Sequence, residues 1–145
     1  MMRKPSLSML AAAVLAVAML SGCQSKPQDA QRAYFKVTGA KPQDSFVIML
    51  KNPDMIAAAR AIVGGQEQTK VHVTGLVVPG QLAYNAPWHF YVDPDSISFF
   101  EMSTEVCDAA TSYVEAHLAE VGGAFLPGRR WCPWASKVSE EVPAP

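Results

Sequence analysis

Two cysteines late in the chain, Cys107 and Cys132, restrict its possible folds more than any other feature. The reason lies at the other end. Arg3 and Lys4 make a basic start, and Leu7 to Leu20 then run almost without a polar residue. A short apolar run behind a basic start reads as an export signal, too short to span a bilayer comfortably. An exported chain meets an oxidising compartment, where paired thiols usually close into a disulfide. The enclosed loop would hold about two dozen residues, and such a crosslink is worth about 3 kcal/mol in the chain-entropy view. The rival reading is a reactive or metal-binding thiol pair. No cysteine or histidine stands at zinc-like spacing from either residue, which favours the crosslink.

The third cysteine has a different use. Leu20, Ser21, Gly22 and Cys23 close the apolar run. This stretch resembles the bacterial lipobox, which is cut before the cysteine so that Cys23 carries acyl chains. Several acyl chains hold a protein on a membrane stably. Gln24 follows, and in Gram-negative lipoproteins that resemblance implies sorting to the periplasmic face of the outer membrane. Residues 1–22 are then a signal peptide. Residues 23–44 are the lipidated cysteine and a polar tether, with a short strand at 33–38 as an option. Residues 45–138 are one globular domain, and 139–145 a flexible tail. The chain of 145 residues carries 12 Lys and Arg against 13 Asp and Glu. Loss of Arg3 and Lys4 deepens the acidic excess, which argues against a nucleic-acid partner.

Within the domain, Ser45 to Leu50 is a continuous apolar run, expected as a strand buried on both faces. Asn52, Pro53 and Asp54 form a helix start, and Gly64 with Gly65 a stop. Lys70 to Val78 reads as the next strand. Trp88 to Val92 and Ile97 to Met102 flank Asp93-Pro94-Asp95-Ser96 and read as a hairpin. From Val106 to Val121 the apolar residues fall at steps of three and four, which predicts a second helix capped by Ser103 or Thr104. The stretch from Arg129 to Val138 reads as a last strand, with Pro133 marking an edge or bulge. The order β-α-β-β-β-α-β predicts an α+β fold. It would have a mainly antiparallel sheet of about five strands with two helices on one face, compatible with a ferredoxin-like topology.

From Val71 to Gly128 there is no Lys or Arg, while Asp93, Asp95, Glu101, Glu105, Asp108, Glu115 and Glu120 lie there. A region of one sign attracts cations or basic partners. Asp93 and Asp95 open like a calcium loop, but Ile97, Ser98 and Thr104 stand where a ligand, a glycine and a bidentate acid belong. His72, His89 and His117 form no close pair. His117 falls on the apolar stripe, and His89 beside the acidic turn is the candidate catalytic base, with Asp93 or Glu101 to orient it. No serine elbow or zinc-protease motif occurs, and no residue pattern calls for a cofactor.

Trp88, Tyr84, Asn85, Arg130, Trp131 and Trp134 are residue types that carry binding hot spots. They would form an amphipathic platform if exposed. Otherwise the tryptophans fill the ends of the core and the arginines pair with acids of the second helix. The leading functional reading is a lipid-anchored, non-enzymatic binding module with a protein or peptide ligand, a glycan being less favoured. The alternatives are an envelope hydrolase using His89 with Asp93 or Glu101, and a cation-responsive module at Asp93 and Asp95.

Several motifs point to one family: Tyr84-Asn85 with Pro87-Trp88, Asp93-Pro94, Glu105-Val106-Cys107-Asp108, Leu126-Pro127-Gly128, and Trp131-Cys132-Pro133-Trp134. With the upstream run from Phe46 to Gly65, residues 45–138 resemble a small domain of secreted and lipid-anchored bacterial proteins. A related domain occurs in a eukaryotic calmodulin-binding protein. The resemblance brings no catalytic residue set. Calmodulin usually takes a basic amphipathic helix, and neither expected helix is basic.

Overall fold

A computed structural model of the chain describes residues 31–145. The export signal, Cys23 and the tether up to residue 30 lie outside the described residues. The first sheet joins the two ends of the domain. β1 (Ala33–Thr38) and β2 (Phe46–Leu50) alternate buried and half-buried side chains, the mark of strands covered on one face. Phe35, Val37, Ile48 and Leu50 point into the core. β1 is the central strand, antiparallel to β2 on one side and to the last strand, β9 (Lys137–Val142), on the other.

Two expectations change here. β2 is an edge strand and is not buried on both faces. Its outer edge is closed by side chains: the Val47 N–H donates to Asn85 Oδ1, and Trp88 Nε1 donates to the Ser45 carbonyl. Residues 139–142, expected in a flexible tail, belong to β9 because β1 supplies them with a ladder. Arg60 adds a bidentate pair with Glu141.

Helix α1 (Pro53–Val63) starts as the sequence predicts. Asn52 Oδ1 accepts from the N–H groups of Asp54 and Met55, Pro53 takes the first turn, and Gly64 ends it. These are the groups a helix start otherwise leaves without partners. Ile56, Ala59 and Ile62 form its buried stripe, which lies against β9 and β2.

The second sheet is built around β3 (His72–Pro79). β4 (Phe90–Val92) pairs with Val77–Pro79, and β5 (Ser98–Phe100) with His72–Thr74. β4 and β5 therefore follow one another along β3 and do not form a hairpin. The turn between them anchors to β3, where the Leu76 N–H donates to Ser96 Oγ and the Asp93 N–H donates to the Leu76 carbonyl. Gly75 sits at the middle of β3 for a steric reason. A Cβ there would meet Val92 Cγ1 at 2.2 Å.

The predicted second helix is broken into pieces. A 3-10 turn at Glu105–Cys107 precedes α2 (Thr111–Ala116), and another 3-10 turn at Leu118–Glu120 follows. Cys107 thus lies before the helix, and Thr104 makes no side-chain cap. Asp108 and Ala110 are extended. Their neighbourhood serves the next segment instead: Ala109 offers its carbonyl to Trp131 Nε1, and Asp108 Oδ1 accepts the Trp134 N–H. Tertiary partners have replaced helical ones.

Short strands β6 (Val121–Gly122) and β7 (Phe125–Pro127) form a small parallel ladder. A turn with positive φ at Leu126, Gly128 and Arg129 then leads into β8 (Arg130–Trp131), which pairs with Gly75 and Leu76 of β3. The expected single last strand is therefore two, β8 and β9, separated by the bend at Cys132–Ser136. The class is α+β and mainly antiparallel. The ferredoxin-like topology is not formed, since the two larger sheets contain only antiparallel pairs where a split βαβ unit needs parallel strands. Nor do the helices share a face: α2 meets the Pro42–Asp44 turn. One core connects all of it, from Ala33 to Val138.

Candidate functional site

Cys107 and Cys132 form the disulfide. Their Cα atoms are 5.1 Å apart, and the Cys132 N–H donates to the Cys107 carbonyl at 2.8 Å. Both residues are buried. The bridge ties β8 to the 3-10 turn and sets Trp131 at the centre of the molecule.

That placement removes the main member of the expected platform. Trp131 is 1 % exposed. Its ring meets Phe46 at 4.7 Å and Phe90 at 5.5 Å, the latter edge-on. Asn85 is buried too, and works as a clamp: Oδ1 receives the Val47 N–H and Nδ2 donates to the Phe90 carbonyl. Trp88 is half-buried against the core with its N–H on Ser45. Trp134 is half-buried beside Phe100, and its Nε1 is buried without a partner. Tyr84 leans on Tyr34, and its hydroxyl is also buried and unpartnered. Burial first, and then the neighbouring Tyr91, Tyr34 and Asp93, push its phenol up to about 12. Arg130 alone of the six is exposed, with Nη1 3.5 Å from the Ser96 carbonyl. The aromatic residues fill and seal the core. The expected pairing of arginine with acids of the second helix is likewise not what Arg130 does.

The catalytic and cation candidates are engaged elsewhere. His89 is paired with Glu115 of α2, not with Asp93 or Glu101, and its imidazole is 66 % exposed. The Asp93 carboxylate accepts the Asp95 N–H, closing the turn. Asp95 pairs with Lys51 Nζ at 2.8 Å. Among the described residues, no three His, Cys, Asp or Glu side chains gather as a metal site. His72 donates to the Ser136 carbonyl and lies against Phe100.

One carboxylate the sequence reading passed over has a defined task. Asp44 is 5 % exposed. Its Oδ1 accepts the Ser112 N–H, and its carbonyl accepts from Thr111 Oγ1. Ala110, at the N-cap of α2, has no side chain to do this. Asp44 therefore caps α2 from a different element. The Ser112 hydrogen bond holds its carboxyl below the ordinary value of 3.8, against the opposing effect of burial. A depressed pKa stabilises the fold fully above the unfolded value and loses that effect as pH falls through the folded value. Asp44→Ala is expected to cost about 1 kcal/mol near neutral pH. In urea melts the difference from wild type should shrink below pH 3.8. A difference that persists unchanged into strong acid would exclude the ionised cap.

The exposed aromatic of this fold is one the sequence reading assigned to a buried stripe. Tyr113 is 51 % exposed. It stacks on His117 at 3.9 Å, and Phe125 stands edge-on to Tyr113 at 5.4 Å. Because α2 lasts only six residues, its apolar side is covered at Val114 and left open at Tyr113.

Comparison with known proteins bears on this arrangement. A family model described as the BP-74 N-terminal domain matches residues 31–145. The chain belongs to this N-terminal domain family. No curated protein and no solved structure matches it. The family match begins before β1 and runs past β9, so it includes both strands that close the first sheet. It is wider at each end than residues 45–138, on which the sequence resemblance rested.

Proposed function

We propose that the chain is a lipid-anchored, non-catalytic binding module of the bacterial envelope. The lipobox-like stretch at Leu20 to Cys23 supports the anchor, and Gln24 supports placement on the periplasmic face of the outer membrane. The buried Cys107–Cys132 disulfide suits an oxidising compartment. The observation that carries the binding reading is the half-open ring of Tyr113, in a fold whose other polar and aromatic candidates hold structural contacts. An aromatic left on the surface is a residue type that binding sites favour. A protein or peptide ligand is preferred. Calmodulin binding does not form part of the proposal, because α1 carries one basic residue, Arg60, and α2 carries none.

Two measurements test this. The wild-type chain is expected in the membrane fraction with an acylated N-terminal peptide by mass spectrometry, and Cys23→Ser in the soluble fraction. Equal partition of the two would remove the anchor. Residues 23–145 carrying Cys23→Ser, immobilised and exposed to envelope extract, should retain a defined set of proteins. Recovery no different from that on the reduced, unfolded chain would remove the binding role.

A further inference from the structure

The stretch of chain without cations also carries most of the exposed apolar surface. Val71 to Gly128 holds seven carboxylates and no Lys or Arg. Within it Val106 is 61 % exposed, besides the half-open Tyr113. β7, which carries Phe125, touches the Glu105–Cys107 turn, which carries Val106. Phe125 in turn meets both Tyr113 and His117 edge-on, at 5.4 and 5.9 Å. Val106, Phe125, Tyr113 and His117 therefore form one surface. His117 is fixed there by donating from Nδ1 to the Tyr113 carbonyl, 2.8 Å away. Glu105 and Glu120 stand on the two 3-10 turns that flank α2, both exposed. Glu115 is occupied by His89. Arg129 is the basic side chain that comes near, its Cγ 3.0 Å from where a Cβ on Gly122 would lie.

We propose that this surface docks a cationic, partly apolar peptide segment of a partner protein, with an arginine or lysine side chain laid against Tyr113. The inference rests on the binding-module reading and names its partner class. A phenol ring attracts a cation through its quadrupole. Arginine does so best, because its planar, weakly hydrated guanidinium also stacks. Apolar residues of the same segment would cover Val106 and Phe125. The carboxylates of Glu105 and Glu120 supply charge complementarity, which steers encounter and rejects acidic partners. A neutral sugar would use the ring and gain nothing from the acids. Anionic lipid or nucleic acid would be repelled.

Every core residue lies between Ala33 and Val138, so residues 23–145 with Cys23→Ser serve for the test. The probe is a fluorescein-labelled peptide alternating arginine and valine, followed by anisotropy at two salt concentrations. The comparison probes are the same peptide with glutamate for arginine, and a neutral glucan oligosaccharide. Tyr113→Ala should weaken binding of the arginine peptide about tenfold, and Tyr113→Phe should retain it. The pair Glu105→Gln and Glu120→Gln should weaken it and flatten its salt dependence, as loss of a screened attraction requires. The two glutamines provide the result on their own if Tyr113→Ala lowers the melting temperature. No binding of the arginine peptide, binding indifferent to these variants, or preference for the glucan would each overturn the proposal. If envelope proteins are still retained in those cases, only this surface is wrong. If they are not, the binding reading falls as well.

Discussion

Trp131→Ala is expected to destabilise the domain by about 4 kcal/mol, the range for deleting a large buried aromatic. Three losses combine. The indole is closed off from solvent, so its removal leaves a cavity the surrounding strands cannot collapse into. Phe46 and Phe90 lose the ring that joins the first sheet to the second. The Ala109 carbonyl loses its N–H donor next to α2. Against a total stability of about 5–15 kcal/mol for a domain, that is a large share. Circular dichroism in urea measures it. Trp131→Phe should cost clearly less, because the ring stays and only the N–H and part of the volume go. A small effect of Trp131→Ala would mean that the residue lies at a surface after all, as the platform reading assumed.

Removing the crosslink is the second large effect. Cys107→Ser with Cys132→Ser is expected to cost about 3 kcal/mol, because the unfolded chain regains the freedom of a closed loop spanning a separation of 25 residues. The bridge also holds local geometry. It lies beside the extended residues Asp108 to Ala110, which bond to Trp131 and Trp134. Without it, the 3-10 turn at Glu105–Cys107 and β8 are joined only by weaker contacts, such as the Cys132 N–H to Cys107 carbonyl bond. The melting temperature of the wild type should fall in reducing buffer toward that of the double variant. An identical melting temperature in oxidising and reducing buffer would show that the bridge does not constrain the folded protein. The losses at Trp131 and at the disulfide should not add, since adjacent residues share the same packing.

Much of the local structure was legible because it is local. The start of α1 is written in three consecutive residues, Asn52, Pro53 and Asp54, each suited to its position by its own chemistry. β1, β2 and β3 show their period in the burial of alternate residues. The second helix misled because periodicity records only where apolar residues recur. Ala109 and Ala110 fit a helical stripe as well as they fit an extended link, and the choice between them was made by Trp131 and Asp44, distant in the chain. Asp44 itself left no signal in the sequence, since a cap supplied from another element has no fixed spacing.

The candidate site suffered from the same limit. Trp131 and Tyr113 are both large amphipathic residues, and composition does not tell which is covered. One neighbour decides each case. Phe46 and Phe90 close over Trp131, while α2 stops too soon to turn Tyr113 inward.

The sequence alone determined the α+β class, the crosslink between Cys107 and Cys132 and the limits of α1, because cysteine count, alternation and caps act within a few residues or by simple pairing. The tertiary structure alone decided the edge position of β2, the union of β1 with β9, the breaking of the second helix and the face on which an aromatic stays open. Each of those depends on which distant segment arrives to satisfy a hydrogen bond or cover a ring, and that competition is settled only when the whole core closes.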